Sequence, residues 1–259
     1  MRFAPFFIAA ALAAPAAAQH PLNGTWKIDM ASAKLPDRPS VIEIRDGVYS
    51  SPTATPPIRI PADGRFHPDP GRDYHDETAV DASDPRRVTL QHRRKGKPVA
   101  TSVNTLSEDG NTRITEWSSS DNAAGTPLTG RNTWTRVAPA PAGAHAISGT
   151  WRAATRSESD AGLTQTVAVQ GRTVRMTAAT GEKYEARIGG PPVPIVGDPA
   201  GTTVQVRQPD AHSLEETGRR GGQVVYVTRV TASPDGRTAT LVSRNPRNGT
   251  TTTLTAVKQ

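Results

Sequence analysis

Polar and apolar residues alternate along most of the chain in short runs of period two, the pattern of strands that bury one face. Residues 224–230 form a β-branched run, and 237–243 form another. Between them Ser233-Pro234-Asp235-Gly236 has turn chemistry, with proline early and glycine placed to take a positive φ. Ser107-Glu108-Asp109-Gly110 does the same between runs at 99–106 and 111–118. Gln170-Gly171 and Lys95-Gly96 mark two tighter hairpins. Sustained 3.6-residue apolar spacing with caps is not seen within these regions, so helices are not expected.

The pattern is written twice. Asn23-Gly24-Thr25-Trp26-Lys27 matches Ser148-Gly149-Thr150-Trp151-Arg152 at an offset of 125. At an offset of 126, Gly64 and Pro68 fall on Gly190 and Pro194, Arg93-Arg94-Lys95-Gly96 on Arg219-Arg220-Gly221-Gly222, and Ser107-Glu108-Asp109-Gly110 on Ser233-Pro234-Asp235-Gly236. Several short matches in one register point to an internal duplication. The first copy is expected over 19–137, a Pro/Ala linker over 138–145 and the second copy over 146–259. About eight or nine hairpin-linked strands per copy close most naturally into an antiparallel up-and-down β-barrel, which removes exposed edges.

Residues 1–18 read differently. Met1-Arg2 is basic, the stretch to Ala18 is almost wholly apolar, and it ends in small residues, the order of a secretory signal peptide. The stretch is shorter than the roughly 20 residues of a membrane span. We therefore expect a chain exported to the periplasm or beyond that does not span the membrane. A lipid anchor would need a cysteine at the cleavage site, and the chain has none. That lack also removes disulfides, thiolate nucleophiles and Cys-ligated metals. Three of the four Phe lie in the signal segment; four Trp, four Tyr and Phe66 remain beyond it. The core must then come from Val, Ile, Leu, Ala and Thr, which favours strands.

At Gly24-Thr25-Trp26 and Gly149-Thr150-Trp151 the chain resembles the lipocalin-like (calycin) barrels, and its layout resembles tandem lipocalin-like proteins of bacterial envelopes, a group largely without assigned function. The resemblance covers both copies. It implies that Trp26 and Trp151 each plug one end of a barrel as structural residues, and that an Arg on the last strand packs over the Trp. In the first copy Arg131 or Arg136 can do this; the second copy has no Arg there before Lys258. It further implies a cup for a small apolar ligand. The aromatic and sulfur side chains that such a cup would use are Trp117, Trp134, Tyr184, Tyr226 and Met176.

Three other constellations bear on function. His67, Asp69, Asp73, His75, Asp76 and Glu77 form a polar loop in the first copy only, and His67, Asp69, His75 and Asp76 are the candidate ligands for a metal. A metal-dependent enzyme on a calycin barrel is the corresponding alternative function, although a solvated loop is the plainer reading. The net charge is +7, and the densest basic run, Arg93, Arg94, Lys95 and Lys97, echoed by Arg219 and Arg220, falls at expected hairpin tips. Those tips suit anionic envelope components, or serve only to keep edges unpaired in a structural protein with filled barrels. Export and the lack of interleaved aromatics argue against nucleic acid. There is no Gly-x-Ser-x-Gly elbow, phosphate loop or dinucleotide glycine turn. Glu215 and Glu216, adjacent on an expected strand, point to opposite faces and cannot work as a pair. No catalytic residue and no cofactor is assigned, and the expected role is non-catalytic binding of a small apolar or amphipathic ligand or an envelope component.

Overall fold

The structure, a computed structural model, describes residues 19–259; the expected signal segment, 1–18, lies outside the described residues. It is all-β. The first copy supplies β1 (Gly24–Lys34), β2 (Ser40–Arg45), β3 (Val48–Ser51), β4 (Ile58–Pro61), β5 (Asp63–Pro68), β6 (Glu77–Asp84), β7 (Arg87–Arg94), β8 (Lys97–Leu106), β9 (Thr112–Ser119) and β10 (Leu128–Ala138). The second supplies β11 (Gly149–Glu158), one helical turn α1 (Asp160–Leu163), β12 (Thr164–Gln170), β13 (Thr173–Ala178), β14 (Lys183–Arg187), β15 (Val193–Pro194), β16 (Thr203–Asp210), β17 (Ser213–Arg220), β18 (Gln223–Ala232), β19 (Thr238–Asn245) and β20 (Thr250–Lys258). These make two nearly closed antiparallel barrels of ten strands each, in tandem.

The copies have exchanged their opening strands. Barrel I runs β4-β3-β2-β11-β10-β9-β8-β7-β6-β5, and barrel II runs β14-β13-β12-β1-β20-β19-β18-β17-β16-β15. Trp151 lies opposite Ser40 on β2 and Arg136 on β10, while Trp26 lies opposite Gln165 on β12 and Lys258 on β20. A strand from each copy thus occupies the slot of its counterpart. The segment 138–145 is therefore not a linker between barrels. It joins β10 to β11 within barrel I, and the N–H of His145 donates to Ile44 O at 2.9 Å. The true crossovers are 35–39 and 159–163. Pro36 and Pro39 favour an extended first crossover over the tight reversal that a β1–β2 hairpin would need. Each crossover is tied to an exchanged strand by an ion pair, Arg152 to Asp37 at 2.9 Å and Lys27 to Asp160 at 2.8 Å.

Alternation then builds two cores. Barrel I buries Ile42, Ile44, Tyr49, Ile60, Val80, Val88 and Leu90 together with Ile147 and Trp151 of the second copy. Barrel II buries Val174, Ala186, Val204, Val206, Leu214 and Leu241 with Leu22 and Trp26 of the first. Each Trp thus plugs the barrel built mainly from the other copy, not its own, because its strand has been exchanged. The Trp26 Nε1–H donates to Leu22 O at 2.8 Å and that of Trp151 to Ile147 O at 3.0 Å. Arg136, not Arg131, covers Trp151 at 4.2 Å, and Lys258 covers Trp26 at 5.0 Å. Arg136 also donates to the carbonyls of Gly110 (2.6 Å), Ser148 (2.6 Å) and Ala146 (2.8 Å). The glycine of the repeated motif is required: Gly149 has φ +137°, and a Cβ there would lie 2.8 Å from Ala138 O. His20 and His145 are equivalent as well; the Nδ1 of each accepts, at 3.2 Å, the N–H two residues on, of Leu22 and Ile147 respectively.

Neither barrel is sealed by a full ladder. In barrel II a single bridge, Lys183 with Val196, joins β14 to the chain beyond β15. In barrel I the β4 edge packs beside β5 and β6 with no ladder between them. Among the described residues no helix is long and apolar enough to cross a membrane.

Candidate functional site

The polar loop of the first copy is pulled apart by the fold. The Asp69 carboxylate is buried and accepts from Arg72 Nε (2.9 Å), Thr78 Oγ1 (3.0 Å) and His75 Nε2 (3.1 Å). Burial works against its charge, but the bonds from His75 and Arg72 prevail and hold its pKa at about 2. Thr78 Oγ1 also lies 2.9 Å from His92 Nδ1. Because its single proton goes to Asp69, His92 donates from Nδ1. His92 stacks on His75 with ring centroids 4.2 Å apart. Burial, then the neighbouring His75, push the His92 pKa down to about 4.

The remaining members point elsewhere. His67 pairs with Asp63 at 2.9 Å, Asp76 accepts the Lys95 N–H at 2.9 Å, and Asp73 pairs with Arg220 (2.5 Å) and Arg247 (2.9 Å) of barrel II. His67, Asp69, His75 and Asp76 therefore do not share a site, and among the described residues no three His, Cys, Asp or Glu side chains form a metal-ligating group. Nearness in sequence gave way to separate anchoring partners, and of the four only Asp69 and His75 meet.

The basic tips are also engaged. Arg93 lies over the Phe66 ring at 3.6 Å, and Arg94 pairs with Asp121 at 2.7 Å. Arg220 bonds Asp73, Tyr74 Oη and Thr202 Oγ1, so it clasps the barrels together rather than presenting a free cation. Lys95 and Lys97 stay exposed at their turn, and Arg219 is half-buried on β17.

The five candidate ligand residues fall into separate places. Trp117 packs against Gly130 in barrel I, where a Cβ would lie 2.4 Å from its ring. Trp134 donates to Thr115 Oγ1 at 3.1 Å and stacks on Arg113 at 4.6 Å. Tyr226 packs on Gly218 inside barrel II. Only Met176 and Tyr184 meet, as direct partners across β13 and β14.

These two line a groove of about 520 Å³ at the incompletely paired seam of barrel II, with Val193, Pro194 and Val196 on the far wall and Arg175, Thr177, Lys183 and Glu185 at its rim. Arg175 and Glu185 pair at 2.7 Å across that rim. Beneath it the Tyr184 hydroxyl donates to Glu216. Burial raises the pKa of Glu216, and burial followed by the Glu216 carboxylate raises that of Tyr184. Glu215, on the opposite face as strand geometry requires, pairs with Arg207 and Arg229. The Trp26 end of the lumen is filled: only about 20 Å³, room for about one water, lies between Leu22, Trp26, Leu214 and Leu241.

Arg113 and Arg156 are not among the residues the sequence singled out. Arg113 is only 2% exposed and lies between Trp134 (4.6 Å) and Trp151 (5.1 Å). Burial lowers its pKa to about 10. Arg156, on β11, is exposed. The signal for Arg113 was the parity of β9, which turns Arg113, Thr115 and Trp117 to the same face and Ile114 to the other. No protein-family model matches the chain, and no curated protein is significantly similar to it.

Proposed function

We propose that the protein is an exported, non-catalytic binding protein that takes a small apolar or amphipathic molecule into the seam groove of barrel II. The supporting observation is the groove itself: about 520 Å³, walled by Met176, Tyr184, Val193, Pro194 and Val196 where the sheet lacks a ladder. Its volume falls in the range of small-molecule sites, and its lining is mostly apolar with charge confined to the rim. An apolar body fits the walls, and a polar end reaches Arg175 or Lys183. The resemblance to tandem barrels of bacterial envelopes and the signal-like N-terminus favour action in the periplasm or outside the cell.

The test is a fluorescence titration with neutral N-phenyl-1-naphthylamine, alongside native mass spectrometry of the purified protein for a co-purified molecule. Val196 is 56% exposed, so Val196→Asp leaves the fold intact. Placing a charge in the groove weakens probe binding by about tenfold or more, since burying a Val side chain contributes roughly 1.5–3 kcal/mol. Unchanged binding in Val196→Asp and in Met176→Glu sinks the reading.

A further inference from the structure

A second cleft lies where the two barrels meet, and no part of the groove reading accounts for it. It encloses about 360 Å³ and is lined by Pro36, Arg38 and Pro39 of the first crossover, by Ser40, Ser51 and Thr53, by Trp134, Ala153 and Arg156, and by Asn248, Thr250 and Thr252 of barrel II. Its charge is one-sided: the lining holds two arginines, five hydroxyls and no carboxylate.

The state of those groups is informative. Among the described residues the Arg156 guanidinium has neither a hydrogen bond nor an ion pair, whereas that of Arg38 bonds only the Asn248 carbonyl, at 3.0 Å. Thr53 Oγ1 accepts the Val41 N–H at 2.8 Å, which leaves its own proton free to donate into the cleft. Behind the floor, Trp134 rests on Arg113, a buried guanidinium whose Nε has no hydrogen-bond partner among the described residues. Arg136 stands beyond it over Trp151. Two exposed guanidiniums, Arg38 and Arg156, thus flank a flat aromatic floor that is backed by the buried cation Arg113.

We infer that this cleft binds a small organic anion, its charged group held by Arg156 and Arg38 and its flat apolar part lying on Trp134. A guanidinium matches carboxylate and phosphate oxygens in a planar fork, so both groups suit the site chemically. Because Arg156 rides on the exchanged strand β11 while Asn248 and Thr252 come from barrel II, the site exists only in the assembled pair of barrels. It is separate from the Met176–Tyr184 groove and stands even if that groove binds nothing.

The experiment uses the full chain and 8-anilinonaphthalene-1-sulfonate, a flat aromatic anion, with benzoate and phenyl phosphate as competitors to separate carboxylate from phosphate recognition. Arg156→Gln and Arg38→Gln are each expected to weaken binding of the anion about tenfold or more and to flatten its dependence on salt. Arg156→Lys is expected to recover part of the loss. Neutral N-phenyl-1-naphthylamine serves as the control that isolates the groove, and its titration should not change in either variant. Two results overturn the inference: anion binding unchanged in the Arg38→Gln/Arg156→Gln double variant, or an equal loss for the neutral probe. Loss of anion binding in Val196→Asp instead would place the anion in the groove and also overturn it.

Discussion

The two barrels share one ladder and fill it with opposite chemistry. In barrel I, Trp134 faces Arg113 across β10 and β9; the same ladder position in barrel II holds Ala256 opposite Ala239. Thr78 faces His92 in barrel I where Val204 faces Gly218 in barrel II. The exchange runs the other way one step along, with Leu90 opposite Val80 in barrel I and Glu216 opposite Val206 in barrel II. Barrel I has taken a buried cation and an imidazole pair, and barrel II a half-buried, inward-facing acid. Each charge is accommodated differently: Arg113 by two indole faces, Glu216 by the Tyr184 hydroxyl. A cylinder of this kind tolerates an interior charge only where its neighbours in the ladder supply a partner.

The sharpest way to break the comparison is to separate the copies. A chain of 19–145 alone lacks β11, and 146–259 alone lacks β1, so each is expected to remain unfolded by circular dichroism, while the two coexpressed recover the native spectrum. Two independently folded halves would show that the strands need not be exchanged. Next in size are the plugs. Trp151→Ala should cost about 3–5 kcal/mol. Although Trp151 belongs to the second copy, the loss should appear in barrel I: amide hydrogen exchange speeds up in β2 and β10 and not in β12. Trp26→Ala should do the converse, in β12 and β20.

Acid should separate the barrels by sign. The His92 pKa is depressed to about 4 in the folded chain against 6.5 when free. Between those values the unfolded state binds the extra proton, so this contribution is complete above pH 6.5 and is lost as pH falls to about 4, a loss of about 3 kcal/mol. Glu216 is shifted upward, so its contribution is present below its unfolded pKa and is lost as pH rises through the folded one. Exchange in β6 and β7 should therefore quicken from pH 7 to pH 4 relative to β16 and β17, and His92→Phe should blunt the difference. Glu216→Gln should stabilise barrel II at neutral pH, read by thermal unfolding at pH 7. Equal responses of the two barrels to pH would refute the contrast. The smallest effect belongs to the crossover pairs: Lys27→Ala breaks an exposed pair with Asp160 and should cost less than about 1 kcal/mol.

Much of this fold was legible in the sequence. Period-two alternation, the Ser-x-Asp-Gly turns and the repeated Gly-Thr-Trp gave the strands, the hairpins and the duplication. The exchange was not legible from that motif, because Gly-Thr-Trp opens both strands and carries no mark of which slot each one takes. Pro36 and Pro39 were its one local sign. The candidate sites fared unevenly. Met176 and Tyr184 do meet, since both face inward on neighbouring strands. The His67–Glu77 loop gathered ligand types by sequence distance alone, and of the four candidate ligands only Asp69 and His75 meet, while His67 and Asp76 are held by Asp63 and Lys95. Arg113 was overlooked because on β9 the apolar Ile114 faces away from the side that carries the charge.

The traded strands also set an order of assembly. Barrel I is complete once β11 has been made, but β1, first of the twenty strands, finds its partners only in β12 and β20. Closing barrel II therefore requires pairing between strands far apart in sequence, which slows folding and leaves an unpaired edge open meanwhile. A gene deletion that removed either copy would strand its twin with a missing stave, so the duplication, once traded in this way, no longer reverts to a single working barrel.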